Sequence, residues 1–206
     1  MTLFSSCLTH FDQLNNKDPN TIEHEGHTIA KEQLYAQRML SQLHHFQPDA
    51  SEILQLAVYS QHIQRWKKPR QDYPTGRSGY LRWRHELGIF HADIASKVLQ
   101  QEGYSAADCS RIKSLLQKKN LHNDTEAQCL EDVACLVFIE HYLWDFVQNY
   151  SKKTLTNAAD STVKLRRILQ KTWQKMSTKA RKSALELPLS SDLLILIKDN
   201  LGTELI

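Results

Sequence analysis

The sequence predicts an all-α protein, a single-domain bundle of about eight helices. Apolar residues recur three and four positions apart along most of the 206 residues, which is the period of an amphipathic helix. No stretch shows the strict alternation of apolar and polar residues that is typical of a half-buried strand. Several helical stretches also begin with a capping-box pattern, in which Ser, Asp or Asn precedes an acidic residue by three positions.

The first third of the chain predicts three helices. Residues 2–15 and 31–45 each carry one apolar stripe, and a polar loop lies between them. Asp49 and Glu52 have the spacing of a capping box, which predicts a third helix that runs to about Trp66. Apolar residues cover much of the circumference of this helix, so we expect it to be central and buried.

The middle of the chain predicts two more helices. One begins near Gly76, after a loop that contains two prolines, and ends at Gly103. Ser105 and Asp108 form a second capping box, which predicts a shorter helix that runs to Lys119.

The last part of the chain predicts a long apolar helix, a basic helix and two short helices. They are predicted at 125–149, 160–176, 178–186 and 190–200. The sequence therefore predicts a helical core domain at 1–150 and a basic helical extension at 151–206 that packs on this core.

Cysteine usage and hydropathy predict a soluble cytoplasmic protein. The four cysteines show no CxxC spacing, which favours free thiols in a reducing compartment. The N-terminus has no Lys or Arg before its short apolar start, so it does not resemble a secretory signal. The longest unbroken apolar run, 133–139, is far shorter than the about 20 residues of a membrane helix. We expect no membrane partner.

Basic residues are concentrated in two segments. Residues 62–91 contain seven basic and two acidic residues, and residues 151–182 contain ten and one. Such segments indicate an anionic ligand or partner. The second segment has enough cationic side chains to bind the phosphates of RNA or DNA, although no signature of a nucleic-acid-binding fold accompanies it.

Two predicted helices each carry candidate site residues on one face. On each helix the residues are three, four or seven positions apart, which puts them on one face. They are His62, Arg65 and Trp66 on the first helix, and Arg77, Tyr80, Arg84 and His91 on the second. On the long helix, Glu131 and Asp132 interrupt an apolar sequence, where a carboxylate is costly to bury without a cation. If the three helices pack together, the imidazole, guanidinium and carboxylate groups converge on one pocket.

One interpretation of this pocket is a metal-dependent phosphohydrolase. His62, His91 and Asp132 would bind a divalent metal ion, and Glu131 would act as a base. The metal ion would activate water for attack on phosphorus in a nucleotide or another phosphorylated small molecule. The guanidinium groups that would clamp this anion are those of Arg65, Arg70, Arg77 and Arg84.

Two other interpretations use the same residues without a metal ion. The first is a non-catalytic protein that binds a nucleotide or RNA, with the arginines on phosphate and with a base stacked on Trp66, Tyr73, Tyr80 or Trp83. The second is structural: Glu131 and Asp132 pair with Arg65 or Arg84 in a buried ion network.

Several long motifs resemble the family catalogued as domain of unknown function 4202. They are QHIQRWKKPRQDYPTGRSGYLRWR from Gln61, EAQCLEDVACLVFIEHY from Glu126, KTWQKMS from Lys171, DPN at 18–20 and YAQRM at 35–39. The resemblance covers most of the chain. It implies no particular activity, because the family has none that is established.

The order of the site residues is also similar to that of HD-domain metal phosphohydrolases. These have a His-bearing buried helix, a second His-bearing helix and a late helix with Asp. The similarity implies an HD-like helical core and a divalent metal ion. Gln61-His62 stands here where that superfamily has a His-Asp dipeptide.

The stretch Lys175–Lys179, KMSTK, resembles the KMSKS loop of class I aminoacyl-tRNA synthetases. Those enzymes also need a Rossmann sheet, and the sequence has neither its alternating strands and helices nor a Gly-rich phosphate loop. We therefore interpret Ser177 as the N-cap of the following helix.

Overall fold

The protein is described by a computed structural model that covers residues 2–121, 123–153 and 158–201. These residues form ten α-helices, two short 3₁₀ helices and one two-stranded sheet, which confirms the all-α prediction. The chain divides into two compact units, Met1–Leu130 and Glu131–Ile206. The HD-like core and the packing of a 151–206 extension on a 1–150 core stay predictions.

The first unit begins with a helix, a hairpin and a second helix. These elements are α1 (Leu3–Asn15), β1 (Thr21–His24), β2 (His27–Ala30) and α2 (Lys31–Phe46). The prediction of a polar loop before α2 is therefore wrong in part, because a hairpin lies there. The two strands of this hairpin are only four residues long, antiparallel and largely exposed, so they carry no apolar alternation. The turn between them is set by positive φ angles at Glu25 and Gly26.

The third helix, α3 (Glu52–Ser60), is shorter than predicted. Its N-cap is Ser51, which accepts a hydrogen bond from the Leu54 amide at 3.1 Å, and Asp49 lies outside the helix. The continuation to Trp66 is wrong because Gln64 has a left-handed backbone, with φ of 52°. A 3₁₀ turn, Arg65–Lys67, follows it.

The fourth helix, α4 (Gly76–Glu102), confirms the prediction and ends at Gly103 in the left-handed conformation. The loop before it lies so close that a Cβ on Gly79 would meet the Pro74 oxygen at 1.9 Å. A second 3₁₀ turn, Arg70–Asp72, lies within this loop.

The fifth helix, α5 (Ala106–Leu116), begins with the predicted capping box of Ser105 and Asp108. It packs along α4, while α3 packs against α1, α2 and α5. The fully buried side chains of this core include Phe11, Met39, Leu56, Leu99 and Leu115.

The predicted long apolar helix is present as α6 (Thr125–His141) and α7 (Leu143–Lys153). Only Tyr142 separates them, and helical hydrogen bonds continue on both sides of it. At the start of α6, Arg111 forms ion pairs with Asp124 and Glu126, so α5 is tied to this end of α6.

The remaining helices of the second unit match the prediction. They are α8 (Ala158–Lys175), α9 (Thr178–Glu186) and α10 (Ser191–Leu201). Both α7 and α10 pack against α8. Of the basic segment 151–182, residues 154–157 lie outside the described residues, as do the side chains of residues 151–153 and 158–165, among them Lys164. Within the described part of the chain, no helix is both long and apolar enough to cross a membrane.

Candidate anion-binding cleft

A cleft of about 210 Å³ lies in the first unit, between the turn after α3, the middle of α4 and the end of α5. Four of the predicted site residues line it. They are His62, Arg65, Arg84 and His91. The structure thus brings together the two histidines and two of the guanidinium groups that the sequence placed in one pocket.

His62 is held by contacts on both sides of its ring. The ring stacks on Tyr35 with a centroid distance of 3.9 Å. Its Nδ1 lies 3.3 Å from Oε2 of Glu32, and Nη1 of Arg65 lies 3.0 Å from its Nε2. Because a guanidinium group only donates, the lone pair of a neutral ring belongs on Nε2 and the proton on Nδ1, where Glu32 accepts it.

The position of Arg65 depends on the left-handed turn at Gln64. The Gln64 amide donates to Oδ1 of the buried Asn15 at 3.0 Å, which holds the turn against the end of α1. The chain then reverses, and Arg65 returns to His62 three residues earlier. The predicted α-helical face of His62, Arg65 and Trp66 is therefore wrong, although His62 and Arg65 still meet.

His91 lies in the middle of α4 and is only 4% exposed. Its ring centroid is 6.1 Å from that of His62. The ring donates a hydrogen bond to the backbone carbonyl of Gln61. Its Nε2 is buried and has no hydrogen-bond partner in the described part of the chain, and the same is true of the Gln61 side-chain oxygen Oε1.

Burial and nearby cations keep both histidines neutral. Burial lowers the pKa of His62 well below its usual value, and Arg65, Arg84 and Lys118 lower it further. Burial likewise lowers the pKa of His91, with smaller contributions from His62 and Arg65. The cleft therefore combines two neutral imidazoles with three cationic side chains.

Two other predicted binding residues support the loop before α4. Arg70 donates to the carbonyl oxygens of Tyr73 and Pro74 at 2.9 and 2.8 Å. The Tyr73 hydroxyl donates to Oε2 of Glu86 at 2.7 Å. These contacts hold the loop in place, and neither Arg70 nor Tyr73 lines the cleft.

Arg77 and Tyr80 are exposed on α4, seven and four residues before Arg84. This spacing puts them on the same side of the helix as Arg84. Trp66 is half-buried in the 3₁₀ turn and does not line the cleft.

Glu131 and Asp132 are buried in α6 and contact the end of α8 and the start of α9. Asp132 accepts hydrogen bonds from the Ser177 amide at 2.8 Å and from its hydroxyl at 2.6 Å. Glu131 forms an ion pair with Lys175 at 3.2 Å. Ser177 in turn caps α9 by accepting from the Ala180 amide, which confirms its interpretation as an N-cap.

The predicted roles of Glu131 and Asp132 as base and metal ligand stay predictions, and so does their pairing with Arg65 or Arg84. Both carboxylates belong to the second unit, whereas His62 and His91 belong to the first. Among the described residues, no group of three or more His, Cys, Asp or Glu is arranged to hold a metal ion.

A family model described as "Domain of unknown function (DUF4202)" matches residues 5–197. The chain belongs to the DUF4202 family. The resemblance that the motifs predicted is thereby confirmed. Comparison with curated proteins gives no match, and comparison with solved structures gives none. The similarity to HD-domain hydrolases stays a prediction.

Sequence reasoning missed Gln61 and Lys118, which line the cleft, and Glu32, which contacts His62. Glu32 lies in the first turn of α2, 30 positions before His62, and nothing local connects the two. In the sequence, Gln61 stood out only because it replaces the His of a His-Asp dipeptide. In the structure, its side-chain oxygen is buried and has no hydrogen-bond partner among the described residues. Lys118 follows α5 with a positive φ of 53°, which the predicted helix to Lys119 concealed.

Proposed function

We propose that the protein binds a phosphorylated small molecule, with the phosphate group in the cleft. The observation that carries this proposal is the combination of Arg65, Arg84 and Lys118 around two neutral histidines. Guanidinium groups match the geometry of phosphate oxygens and form charge-assisted hydrogen bonds with them. The carboxylate of Glu32 interacts with Arg65 and also contacts Nδ1 of His62 at 3.3 Å.

The size of the cleft favours a phosphate group over a whole nucleotide. Sites that enclose drug-sized ligands have volumes of about 300–1,000 Å³, and this cleft is smaller. The rest of the ligand would therefore extend outside it. Tyr80, 44% exposed, and Arg77 lie on the same side of α4 and offer a ring and a charge for this part.

A metal-dependent phosphohydrolase is the second candidate function. The observation that favours it is the unpaired Nε2 of His91 on a ring whose pKa is lowered, because metal ions bind neutral imidazole. A divalent ion held by His62, His91 and Asp132 would supply an activated water. Arg65, next to both ring nitrogens of His62, would repel a cation there, so the geometry supports anion binding better.

Calorimetric titration with AMP and inorganic phosphate tests the proposal. We expect Arg84→Gln to weaken binding by about tenfold or more, since a charge-assisted hydrogen bond contributes about 1.5–3 kcal/mol. Lys97→Gln removes one charge from the exposed side of the same helix and is the matched control. Equal losses in the two variants would contradict a specific role for the cleft.

The same titration distinguishes the two candidate functions. Binding that persists in a chelator, without release of phosphate from AMP after addition of Mg²⁺, Mn²⁺ or Zn²⁺, supports the binding protein. Phosphate release that requires a metal ion, and that His91→Ala abolishes, would support the hydrolase instead.

A further inference from the structure

Two buried hydrogen-bond acceptors in the cleft are left unpaired. Because His91 donates to the Gln61 backbone carbonyl through its other nitrogen, its Nε2 carries a lone pair. The Gln61 side-chain oxygen is the second acceptor. Both residues line the cleft, and His91 is only 4% exposed. Most buried polar atoms in proteins are paired, so two unpaired acceptors in one cleft point to a ligand.

The cationic side chains of the cleft have the opposite requirement. Arg65, Arg84 and Lys118 carry donors and no acceptor, so a ligand that binds them must be rich in acceptors, as an oxyanion is. The acceptors on Gln61 and His91 need donors. A ligand that satisfies both sets is an anion that also carries hydrogen-bond donors.

We propose that the cleft selects oxyanions that carry an O–H group, and that its ligand presents a protonated phosphate. This inference rests on the proposed function and specifies its ligand class: inorganic phosphate or the monoanion of a phosphomonoester. Sulfate and phosphodiesters share the tetrahedral shape and negative charge but have no O–H near neutral pH. They therefore give no donor to Gln61 or His91, and both buried acceptors stay unpaired when such an anion binds.

Titration of the full chain with four anions tests the selection. We expect inorganic phosphate and methyl phosphate to bind at least about tenfold more tightly than sulfate and dimethyl phosphate, because a ligand that leaves buried groups unpaired is strongly disfavoured. Tighter binding of inorganic phosphate would identify free phosphate as the ligand class, and tighter binding of methyl phosphate would identify a phosphomonoester. Equal affinity for all four anions would overturn the selection and leave the proposed function standing. No binding of any would overturn both.

Two variants of His91 identify the acceptor responsible. His91→Asn keeps a donor near the Nδ1 position and removes Nε2, whereas His91→Gln keeps an acceptor near Nε2. We expect the ratio of phosphate to sulfate affinity to fall several-fold in His91→Asn and to be largely retained in His91→Gln. His45→Asn is the control, because His45 is exposed, binds the Ser41 carbonyl and lies outside the cleft.

A variant of Gln61 makes the test independent of the folding of His91→Asn. Gln61→Met has nearly the same size and shape but no acceptor oxygen. We expect the same fall in the ratio of phosphate to sulfate affinity. An unchanged ratio in Gln61→Met, with wild-type affinity for phosphate, would overturn the proposal.

Discussion

Glu32 is a partly buried carboxylate that contacts His62 beside the cleft. It accepts from Nδ1 of His62, and this fixes the ring so that Nε2 faces Arg65. Burial raises the pKa of Glu32, while Arg65 and Lys31 oppose this rise. The carboxylate orients the imidazole and, when ionised, lowers the net positive charge beside the cleft.

The substitution Glu32→Gln separates these two effects. The amide oxygen can still accept from His62, but the negative charge is lost. We expect the affinity for phosphate to rise about two- to fivefold near neutral pH, because one repulsive charge near the anion is removed. Calorimetry measures this, and Glu186→Gln, an exposed change in the second unit, is the control. Weaker binding in Glu32→Gln would contradict the account.

The site residues were predictable from the sequence only where local spacing determined their positions. Arg84 and His91 are seven residues apart in a long helix, so their common face followed from the helical period. The contact of His62 with Arg65 depends on the left-handed Gln64, which Asn15 holds from 49 positions away. The partners of His62 and the unpaired atoms of Gln61 are likewise tertiary features that no local pattern contains.

At the level of elements, helix starts with one obvious capping residue were predicted correctly. Ser105 and Ser177 are N-caps in the structure, as expected. At the start of α3, the N-cap is Ser51 and not the predicted Asp49. The hairpin before α2 was missed because both strands are short and mostly exposed, so burial imposed no alternation on the sequence.

The start of α9 gives a test of the role of Asp132. This carboxylate is 2% exposed and accepts two hydrogen bonds from Ser177. We expect Asp132→Ala to reduce the free energy of unfolding by about 1–3 kcal/mol, because it leaves buried donors unpaired. Denaturant unfolding measures the loss, and Asp132→Asn, which keeps one acceptor, should lose less.

Phosphate affinity in the same variants separates a structural from a catalytic role. If Asp132 positions α9 and does not touch the ligand, Asp132→Asn should bind phosphate as the wild type does. A large loss of phosphate binding in Asp132→Asn, with stability close to that of the wild type, would favour the predicted metal-ligand role.

At the level of the whole molecule, the family match continues from the first compact unit into the second, over residues 5–197. The cleft belongs to the first unit. The second unit contains the basic segment 151–182, whose exposed cations include Arg167, Lys171 and Lys182. Binding of RNA or DNA by this segment stays a prediction. The chain thus has a cleft lined by cationic side chains in its first unit and a basic helical segment in its second.

The imidazole signals of His62 and His91 in an NMR titration with inorganic phosphate test the central claim most directly. The account predicts that both signals shift together and saturate at the affinity found by calorimetry. The signals of His44 and His45, which are exposed on α2, should stay unchanged. Phosphate binding that leaves the signals of His62 and His91 unmoved would contradict the account.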